Sequence, residues 1–289
     1  MIVAPGPVQR WVAAARPRTL PASVVPVAVG ASLVRPATLD WVSTALCAVV
    51  AISLQVGTNY ANDYADGVRG TDEVRVGPFR LTASRLVPAA RVRSVAWLWF
   101  AVACGAGLAL AARTSWWLVP IGATAVLAGW FYTGGPRPYG YYGYGELFVL
   151  VYFGFVAVVG TAYVQHASVP GSAWWFGLAA GSMACALLEA NNLRDVQGDR
   201  VAGKRTLAAR LGRQRAAWLY LVWVVGAVAG MALGGESWVA VAVLVAYVPA
   251  LRLAYSARAG RDLIPLLIAS ARVQLFAGAL LVIVFFATR

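Results

Sequence analysis

Carboxylate and amide side chains are concentrated in two short segments of an otherwise apolar chain. The first segment reads NDYADGVRGTD at residues 62–72 and is followed by Glu73, and the second reads EANNLRDVQGDRVAGKRT at residues 189–206. Together they hold most of the 11 acidic residues in a chain of 289. Acids that only balanced nearby arginines would be spread over several connections, so this concentration indicates a functional site.

Acid and amide side chains recur at a spacing of four residues within each segment. Asn62 and Asp66 form one pair, and Asp195 and Asp199 form the other. On a helix, each pair would project from one face. Two opposed faces of this kind offer oxygen ligands without histidine or cysteine, which suits Mg²⁺ bound through carboxylates and substrate phosphates. These four residues are the candidate metal ligands, with Asp72 as a further candidate.

Basic side chains accompany both acidic segments, and a third segment lies between them. Acids that hold Mg²⁺ and cations that neutralise the remaining charge are suitable partners for a polyanion. The third segment, YTGGPRPYGYYGYGE at residues 132–146, predicts an irregular loop because of its glycines and prolines. Its tyrosines suit either an interfacial aromatic belt or a surface for a cation or a flat aromatic substrate.

The elements that must position these segments are membrane-spanning helices. Mean hydropathy is +0.70, only 12% of the residues are charged, and apolar runs of about 20 residues recur. This is typical of an all-α polytopic membrane protein. About nine transmembrane helices are predicted, the first of them short and broken by Pro21 and Pro26. They lie roughly at 19–34, 41–60, 93–112, 116–134, 145–165, 173–191, 215–233, 237–256 and 264–287.

The basic residues behind the formal net charge of +13 lie mainly in alternate connections between these helices. Most of the 24 basic residues fall in the N-terminal segment and in the connections after the second, fourth, sixth and eighth spans. The positive-inside rule then places the N-terminus and both acidic segments in the cytoplasm and the C-terminus outside, with the plasma (inner) membrane as the expected location. The basicity therefore indicates topology and affinity for anionic lipid rather than nucleic-acid binding.

A single transmembrane domain is expected over residues 1–289. Because an even number of spans separates the two acidic segments, the chain reads as two pseudo-repeat halves, at about 15–140 and 141–262, followed by a last helix at 264–287. A GxxxG pattern at Gly226–Gly230 would pack helices either within one copy or between copies, which leaves a homo-oligomer open.

Five segments in order along the chain resemble the UbiA superfamily of intramembrane polyprenyltransferases. They are RPRTLPAS (16–23), NDYADGVRGTD, GPFRLTAS (77–84), YTGGPRPYGYYGYGELFV (132–149) and NNLRDVQGDRVAGKRTLAARLG (191–212). The resemblance implies nine helices around a central cavity that opens laterally to lipid, with two Asp-rich motifs that bind a prenyl diphosphate through Mg²⁺. Two positions depart from the family pattern: Gly70 stands where a third motif acid is usual, and Arg85 stands where glycine is expected.

Within the superfamily, the motifs are most similar to the branch that acts on 1,4-dihydroxy-2-naphthoate in menaquinone biosynthesis. The resemblance implies Mg²⁺-dependent transfer of a polyprenyl group from polyprenyl diphosphate to this acceptor, with loss of CO₂. The residues implied to bind the diphosphate are Arg80, Arg137, Lys204, Arg205 and Asn192. Asp66 and Asp195 would act in catalysis through the metal, Tyr132 or Tyr139 would stabilise an allylic cation, and Asp63 would orient or deprotonate a ring hydroxyl.

Two other functions are compatible with the sequence. The first is prenylation of another aromatic acceptor, such as 4-hydroxybenzoate, which would keep its carboxylate. The second, in a different class, is transport of an anionic substrate, since ionisable residues in membrane proteins often mark pathways. The clustering of the acids at one membrane face, rather than at mid-depth, favours the enzyme.

Overall fold

The computed structural model describes residues 6–71, 80–166 and 168–288, and within these residues all regular structure is helical. The helices are α1 (Pro7–Ala15), α2 (Pro21–Ser32), α3 (Trp41–Val68), α4 (Ala89–Arg113), α5 (Leu118–Phe131), α6 (Gly145–Val149), α7 (Ala157–His166), α8 (Gly171–Val201), α9 (Leu207–Leu211), α10 (Arg213–Leu233), α11 (Ser237–Ala254) and α12 (Ile264–Thr288). A π-helical stretch, Leu150–Val156, joins α6 to α7 without a break.

Seven helical segments in the described part of the chain are long and apolar enough to cross a membrane. Each of the nine predicted spans coincides with a helical segment, but α2 and α5 are shorter, with 12 and 14 residues. The shortness of α2 was expected, whereas the predicted span at 116–134 ends early at Phe131. Gly134, Gly135 and Pro136 follow α5, and such residues do not continue a helix. The all-α multi-pass prediction is confirmed.

Helices α3 and α8 extend past the predicted membrane boundaries and carry the two acidic segments with them. α3 begins at the N-cap Asp40, whose side chain accepts hydrogen bonds from the backbone N–H groups of Val42 and Ser43. It continues to Val68, and α8 continues to Val201. The helical conformation that the four-residue spacing predicts is therefore present in both segments.

Small residues let the π-helical stretch lie directly against α8. A Cβ atom on Gly154 would come within 2.5 Å of the carbonyl oxygen of Gly177 and 2.8 Å of the Cα atom of Gly181. Any larger side chain would separate the two elements. The main buried apolar cluster surrounds this crossing, and it includes side chains of α2, α8, α10, α11 and α12. The N-terminal end of α6 is thereby held against the part of α8 that precedes its acids.

Candidate active site

A polar cavity of about 90 Å³ lies between the acidic ends of α3 and α8. Asn62 and Asp66 line one side and are called the α3 wall here; Asp195 and Asp199 line the other and are called the α8 wall. The structure thus brings together the four principal candidate ligands. Four further predicted residues line the same cavity: Arg80, Asn192, Lys204 and Tyr132.

An apolar cavity of about 690 Å³ shares lining residues with the polar one. Five residues line both: Arg16, Asn62, Tyr132, Leu188 and Asn191. Most of the remaining lining is aliphatic and aromatic side chains of α2, α3, α5, the π-helical stretch, α7 and α8. Charged and amide groups therefore lie at one end of a large hydrophobic volume, which suits a ligand with a polar head and a long apolar tail.

Asp66 is bound by three side chains at the polar cavity. Its Oδ2 atom lies 3.0 Å from Nζ of Lys204 and 3.9 Å from Nη2 of Arg80. Its Oδ1 atom accepts a hydrogen bond of 2.5 Å from the hydroxyl of Tyr141. All three partners belong to other segments of the chain, so the position of this carboxylate depends on tertiary structure.

Tyr141 connects the loop at 132–146 to this acid. Burial, together with the negative charge of Asp66, raises the pKa of Tyr141 above its usual value, so the phenol keeps its proton and donates to the carboxylate. Nζ of Lys204 lies 4.7 Å from the centre of its ring, and the guanidinium of Arg69 lies 5.5 Å from it. Both are within the range of cation–π attraction.

The α8 wall is bound more locally. Arg194, the preceding residue, donates two hydrogen bonds to Asp195, from Nε to Oδ1 at 2.8 Å and from Nη2 to Oδ2 at 2.7 Å. Asp199 accepts a hydrogen bond of 3.4 Å from the hydroxyl of Thr206, and its backbone oxygen accepts one of 2.8 Å from the N–H of Lys204. These contacts bind the end of α8 to the turn that carries Lys204.

The donor set fits Mg²⁺ in its chemistry, because both walls present hard oxygen atoms. Among the described residues, however, no group of three or more Asp, Glu, His or Cys side chains converges on one point. The carboxylates are instead divided between the two walls, and Asp66 and Asp195 are bound by cations. This arrangement suits an ion held by one or two carboxylates and completed by substrate phosphates, rather than an ion caged by protein alone.

The structure gives Asp63 a different role from the predicted one. This side chain is fully buried and lines neither cavity. Its two oxygens each accept a 2.9 Å hydrogen bond from the backbone, from the N–H groups of Leu81 and Thr82. Gly67 allows the close approach, because a Cβ atom there would lie 2.4 Å from Cβ of Thr82. Asp63 therefore anchors the segment that carries Arg80, and it is not placed to act as a base.

Two of the predicted diphosphate-binding residues lie outside the site. Arg137 and Arg205 are exposed and line neither cavity. The backbone N–H of Arg205 donates to the carbonyl of Tyr141 at 2.7 Å. Its backbone thus supports the site while its side chain remains in solvent. Asp72 and Glu73 lie outside the described residues.

Tyr132 and Tyr139 both face the interior cavities. Tyr132 lines both cavities and Tyr139 lines the apolar one, and their rings meet edge to face with centres 5.5 Å apart. Tyr139 also stacks on Phe148 at 4.0 Å, and its hydroxyl donates to the backbone oxygen of Ala128. Burial raises the pKa of both tyrosines, so their rings stay neutral. Of the two interpretations of this segment, the arrangement of these rings favours the substrate surface.

Several site residues were given no role by the sequence. Arg16 lines both cavities and adopts a left-handed backbone conformation with φ of 54°, between α1 and the turn that precedes α2. Its position beside a proline at the start of an apolar run was the available signal. Thr133 donates to the amide oxygen of Asn62 at 2.6 Å, and Tyr141 could not be distinguished from its neighbouring tyrosines.

Comparisons with known proteins agree with this architecture. The model of the UbiA prenyltransferase family matches residues 23–263. The chain is 46% identical over 270 residues to the 1,4-dihydroxy-2-naphthoate octaprenyltransferase of Mycobacterium tuberculosis, covering 89% of this chain and 90% of that protein. It is 35% identical to the Escherichia coli protein of the same name, covering 78% and 76%.

Solved structures share the fold at low sequence identity. A UbiA homologue from Archaeoglobus fulgidus bound to GPP and Mg²⁺ superposes with a TM-score of 0.69 at 14% identity, over 96% of this chain and 98% of that one. A UbiA homologue from Aeropyrum pernix K1 gives 0.68 at 17% identity, over 92% and 96%. The helical arrangement described above is therefore shared with both.

Proposed function

The chain belongs to the UbiA prenyltransferase family, and we propose that it transfers a polyprenyl group from a polyprenyl diphosphate to 1,4-dihydroxy-2-naphthoate with loss of CO₂. The product would be demethylmenaquinol. Family membership removes the transporter alternative. Relatives named for naphthoate prenylation, with 46% and 35% identity over most of the chain, support this acceptor over 4-hydroxybenzoate.

The observation that carries the proposal is the junction of the two cavities. The polar cavity has the cations and acids that a Mg²⁺–diphosphate needs, and the apolar cavity of about 690 Å³ has the volume and lining for an isoprenoid chain. Tyr132 lies where they meet, so the allylic carbon of a donor bound across both would lie near its ring.

Ionisation of the donor requires stabilisation of the departing diphosphate. Lys204 and Arg80 are held at the polar cavity by Asp66 and would contact the phosphate oxygens as the allylic C–O bond breaks. The ligands of Mg²⁺ would come from Asn62 and Asp66 on the α3 wall and Asp195 and Asp199 on the α8 wall. When bound, Mg²⁺ would neutralise charge on the leaving group.

The acceptor step forms one bond and breaks one. The carbon of the naphthoate that bears the carboxylate attacks the allylic cation, and the bond to CO₂ then breaks and returns its electron pair to the ring. The neutral rings of Tyr132 and Tyr139 would stabilise the cation through their faces. The apolar lining would exclude the water that otherwise captures it.

The orientation in the membrane is part of the proposal. By the positive-inside rule, the basic connections favour a cytoplasmic N-terminus and polar cavity and an external C-terminus, in the plasma membrane. A water-soluble acceptor and diphosphate product would then exchange directly with the cytoplasm.

The test is an assay of the purified protein in detergent with 1,4-dihydroxy-2-naphthoate, polyprenyl diphosphates of several lengths and Mg²⁺. Product mass and CO₂ release are followed, with an EDTA control. We expect EDTA-sensitive formation of the decarboxylated prenyl product. Prenylation of 4-hydroxybenzoate alone under the same conditions would overturn the acceptor and leave the family chemistry intact.

A further inference from the structure

A second acidic pair lies beside the polar cavity and takes no part in the steps above. Glu146 is the second residue of α6, and Glu189 lies on α8, about one turn before Asn192. The two side chains are 2% and 0% exposed. Neither lines either cavity, so both lie behind the cavity wall.

The two carboxyl groups contact each other and one amide of the cavity wall. The side chains of Glu146 and Glu189 lie in contact, and Oε2 of Glu146 and both side-chain oxygens of Glu189 are buried with no hydrogen-bond donor assigned to them among the described residues. The other carboxyl oxygen of Glu146, Oε1, accepts a 2.9 Å hydrogen bond from Nδ2 of Asn192. Within the described residues, neither carboxyl group forms an ion pair with lysine or arginine.

Electrostatics determines how many protons this pair holds. Two adjacent carboxylates that are buried without a cation repel each other, and each also loses its hydration. A hydrogen bond between two carboxyl groups needs a proton on one of them, as in other buried acid pairs that share a single proton. No donor is assigned to either carboxyl oxygen of Glu189 among the described residues, whereas Oε1 of Glu146 accepts from Asn192, so the proton belongs on Glu189.

The pair in turn determines how the Asn192 amide is oriented. A carboxylate oxygen accepts hydrogen bonds and donates none, so it selects the NH₂ group of the amide and not its oxygen. Asn192 lines the polar cavity, which leaves its oxygen as the acceptor group available there. Without the carboxylate, the amide could rotate by half a turn and present NH₂ instead.

We propose that Glu146 and Glu189 share one proton and act as positioning residues that hold the Asn192 amide oxygen as a hydrogen-bond acceptor for an O–H donor in the polar cavity. The inference rests on the proposed function. The O–H donor is either a ring hydroxyl of the aromatic acceptor or a water bound to Mg²⁺, since both have the required chemistry. The KM that rises when the acceptor is removed, for the naphthoate or for Mg²⁺, identifies the O–H donor.

The kinetic test compares two substitutions at one position. In Glu146→Gln, the side-chain oxygen still accepts from Asn192 and the NH₂ group donates to Glu189, so KM values should stay within about threefold. Glu146→Leu removes the acceptor, and loss of one hydrogen bond predicts a rise of about tenfold in one KM, with a smaller change in kcat. A rise for the naphthoate identifies the ring hydroxyl, and a rise for Mg²⁺ identifies the bound water.

A double-mutant cycle separates positioning from general damage. Because Glu146 acts only through Asn192, the Glu146→Leu/Asn192→Ala double variant should be no worse than Asn192→Ala alone. Additive losses, or equal losses in Glu146→Gln and Glu146→Leu, would overturn the proposal.

An infrared measurement tests the shared proton without turnover. The wild-type protein should show the carbonyl stretch of a protonated, non-exchanging carboxylic acid, and Glu189→Gln should abolish this band while preserving the KM values. A band that survives both Glu189→Gln and Glu146→Gln would contradict the pair. Because this readout needs no activity, it stays informative even if the proposed acceptor is wrong or if Glu146→Leu does not fold.

Discussion

The α3 wall and the α8 wall each carry two polar side chains at the same spacing, but their carboxylates are held in different ways. Asp66 is bound by Lys204, Arg80 and Tyr141, all from other segments. Asp195 is bound by Arg194, its neighbour in sequence. Asp195 is thus bound by a neighbour on its own helix, whereas Asp66 is bound by residues that are distant in the sequence. Similar motifs can therefore fail in different ways when they are perturbed.

The largest effects are expected from the acids themselves. Asp66→Ala and Asp195→Ala should each lower kcat/KM by about 10² to 10³, the scale seen when one group that stabilises transition-state charge is removed. Asp66→Ala should be the more severe, because it also releases Lys204 and Arg80. Rates are normalised to folded protein, with the exposed Asp262→Ala as the matched control. Wild-type rates in either variant would refute the two-wall site.

Substitution of Arg194 and substitution of Lys204 should affect protein stability and substrate binding to different extents. Arg194→Ala removes two hydrogen bonds and an ion pair from the buried carboxylate of Asp195 and should reduce the free energy of unfolding by about 3 kcal/mol. Lys204→Ala leaves Asp66 with Arg80 and Tyr141, so it should lower stability less and raise the KM for the diphosphate more. Apparent melting temperature and KM are measured on both variants. The reverse pattern would mean that the walls are not held as described.

Asp63 offers a comparison with Asp66, one turn away on the same helix. Asp63→Asn keeps one acceptor oxygen but leaves one buried N–H, of Leu81 or Thr82, without its partner. We expect a stability loss of about 1–2 kcal/mol and less than a tenfold loss of kcat. Asp66→Asn, measured in parallel, should show the smaller loss of stability and the larger loss of kcat. A loss of kcat in Asp63→Asn as large as that in Asp66→Asn would restore Asp63 as a catalytic candidate.

The pH dependence of a Tyr141→Phe variant tests whether this residue holds the α3 wall through a hydrogen bond from another segment of the chain. Its pKa is raised in the folded protein, so the stability that its hydrogen bond contributes is fully present below the unfolded pKa of about 10 and is lost only as pH rises through the folded value. Between pH 7 and pH 10, the wild type and Tyr141→Phe should therefore differ by a constant amount, about tenfold or less in KM for the diphosphate. A difference that has already fallen by about half at pH 10 would indicate an ordinary phenol.

The smallest effect concerns Arg85, in the segment that Asp63 anchors. This exposed arginine has φ of 58°, a conformation that glycine adopts without strain. Arg85→Gly should raise the free energy of unfolding by about 1 kcal/mol and leave the kinetics unchanged. Arg91→Gly, within the regular helix α4, is the control and should destabilise.

The sequence predicted the parts of the site that depend on helical periodicity. Asn62 with Asp66 and Asp195 with Asp199 face one cavity because a four-residue spacing determines a helix face once the helix exists. The expectation of glycine at position 85 also had a local cause, the positive φ. The helix face follows from the chain near these residues, whereas the expectation of glycine came from the family pattern.

Features that depend on distant contacts could not be predicted in this way. Asp63 and Asp66 differ little in sequence context, yet one faces the 80–85 segment and the other the cavity, which is decided by what packs against each side of α3. Arg137 and Arg205 lie beside site residues but point into solvent, because glycine- and proline-rich turns do not fix a direction from spacing alone. The role of Tyr141 among five tyrosines was hidden for the same reason.

The ion pair between Asp66 and Lys204 also has a consequence for biosynthesis. During translation, α3 enters the membrane long before residue 204 is synthesised, and Arg80 and Tyr141 emerge in between. The Asp66 carboxylate on α3 is therefore only partly neutralised until the turn after α8, which carries Lys204, has been synthesised. Completion of the catalytic centre is therefore a late event of insertion, and a ribosome stalled within α8 would leave a membrane-embedded but incompetent chain.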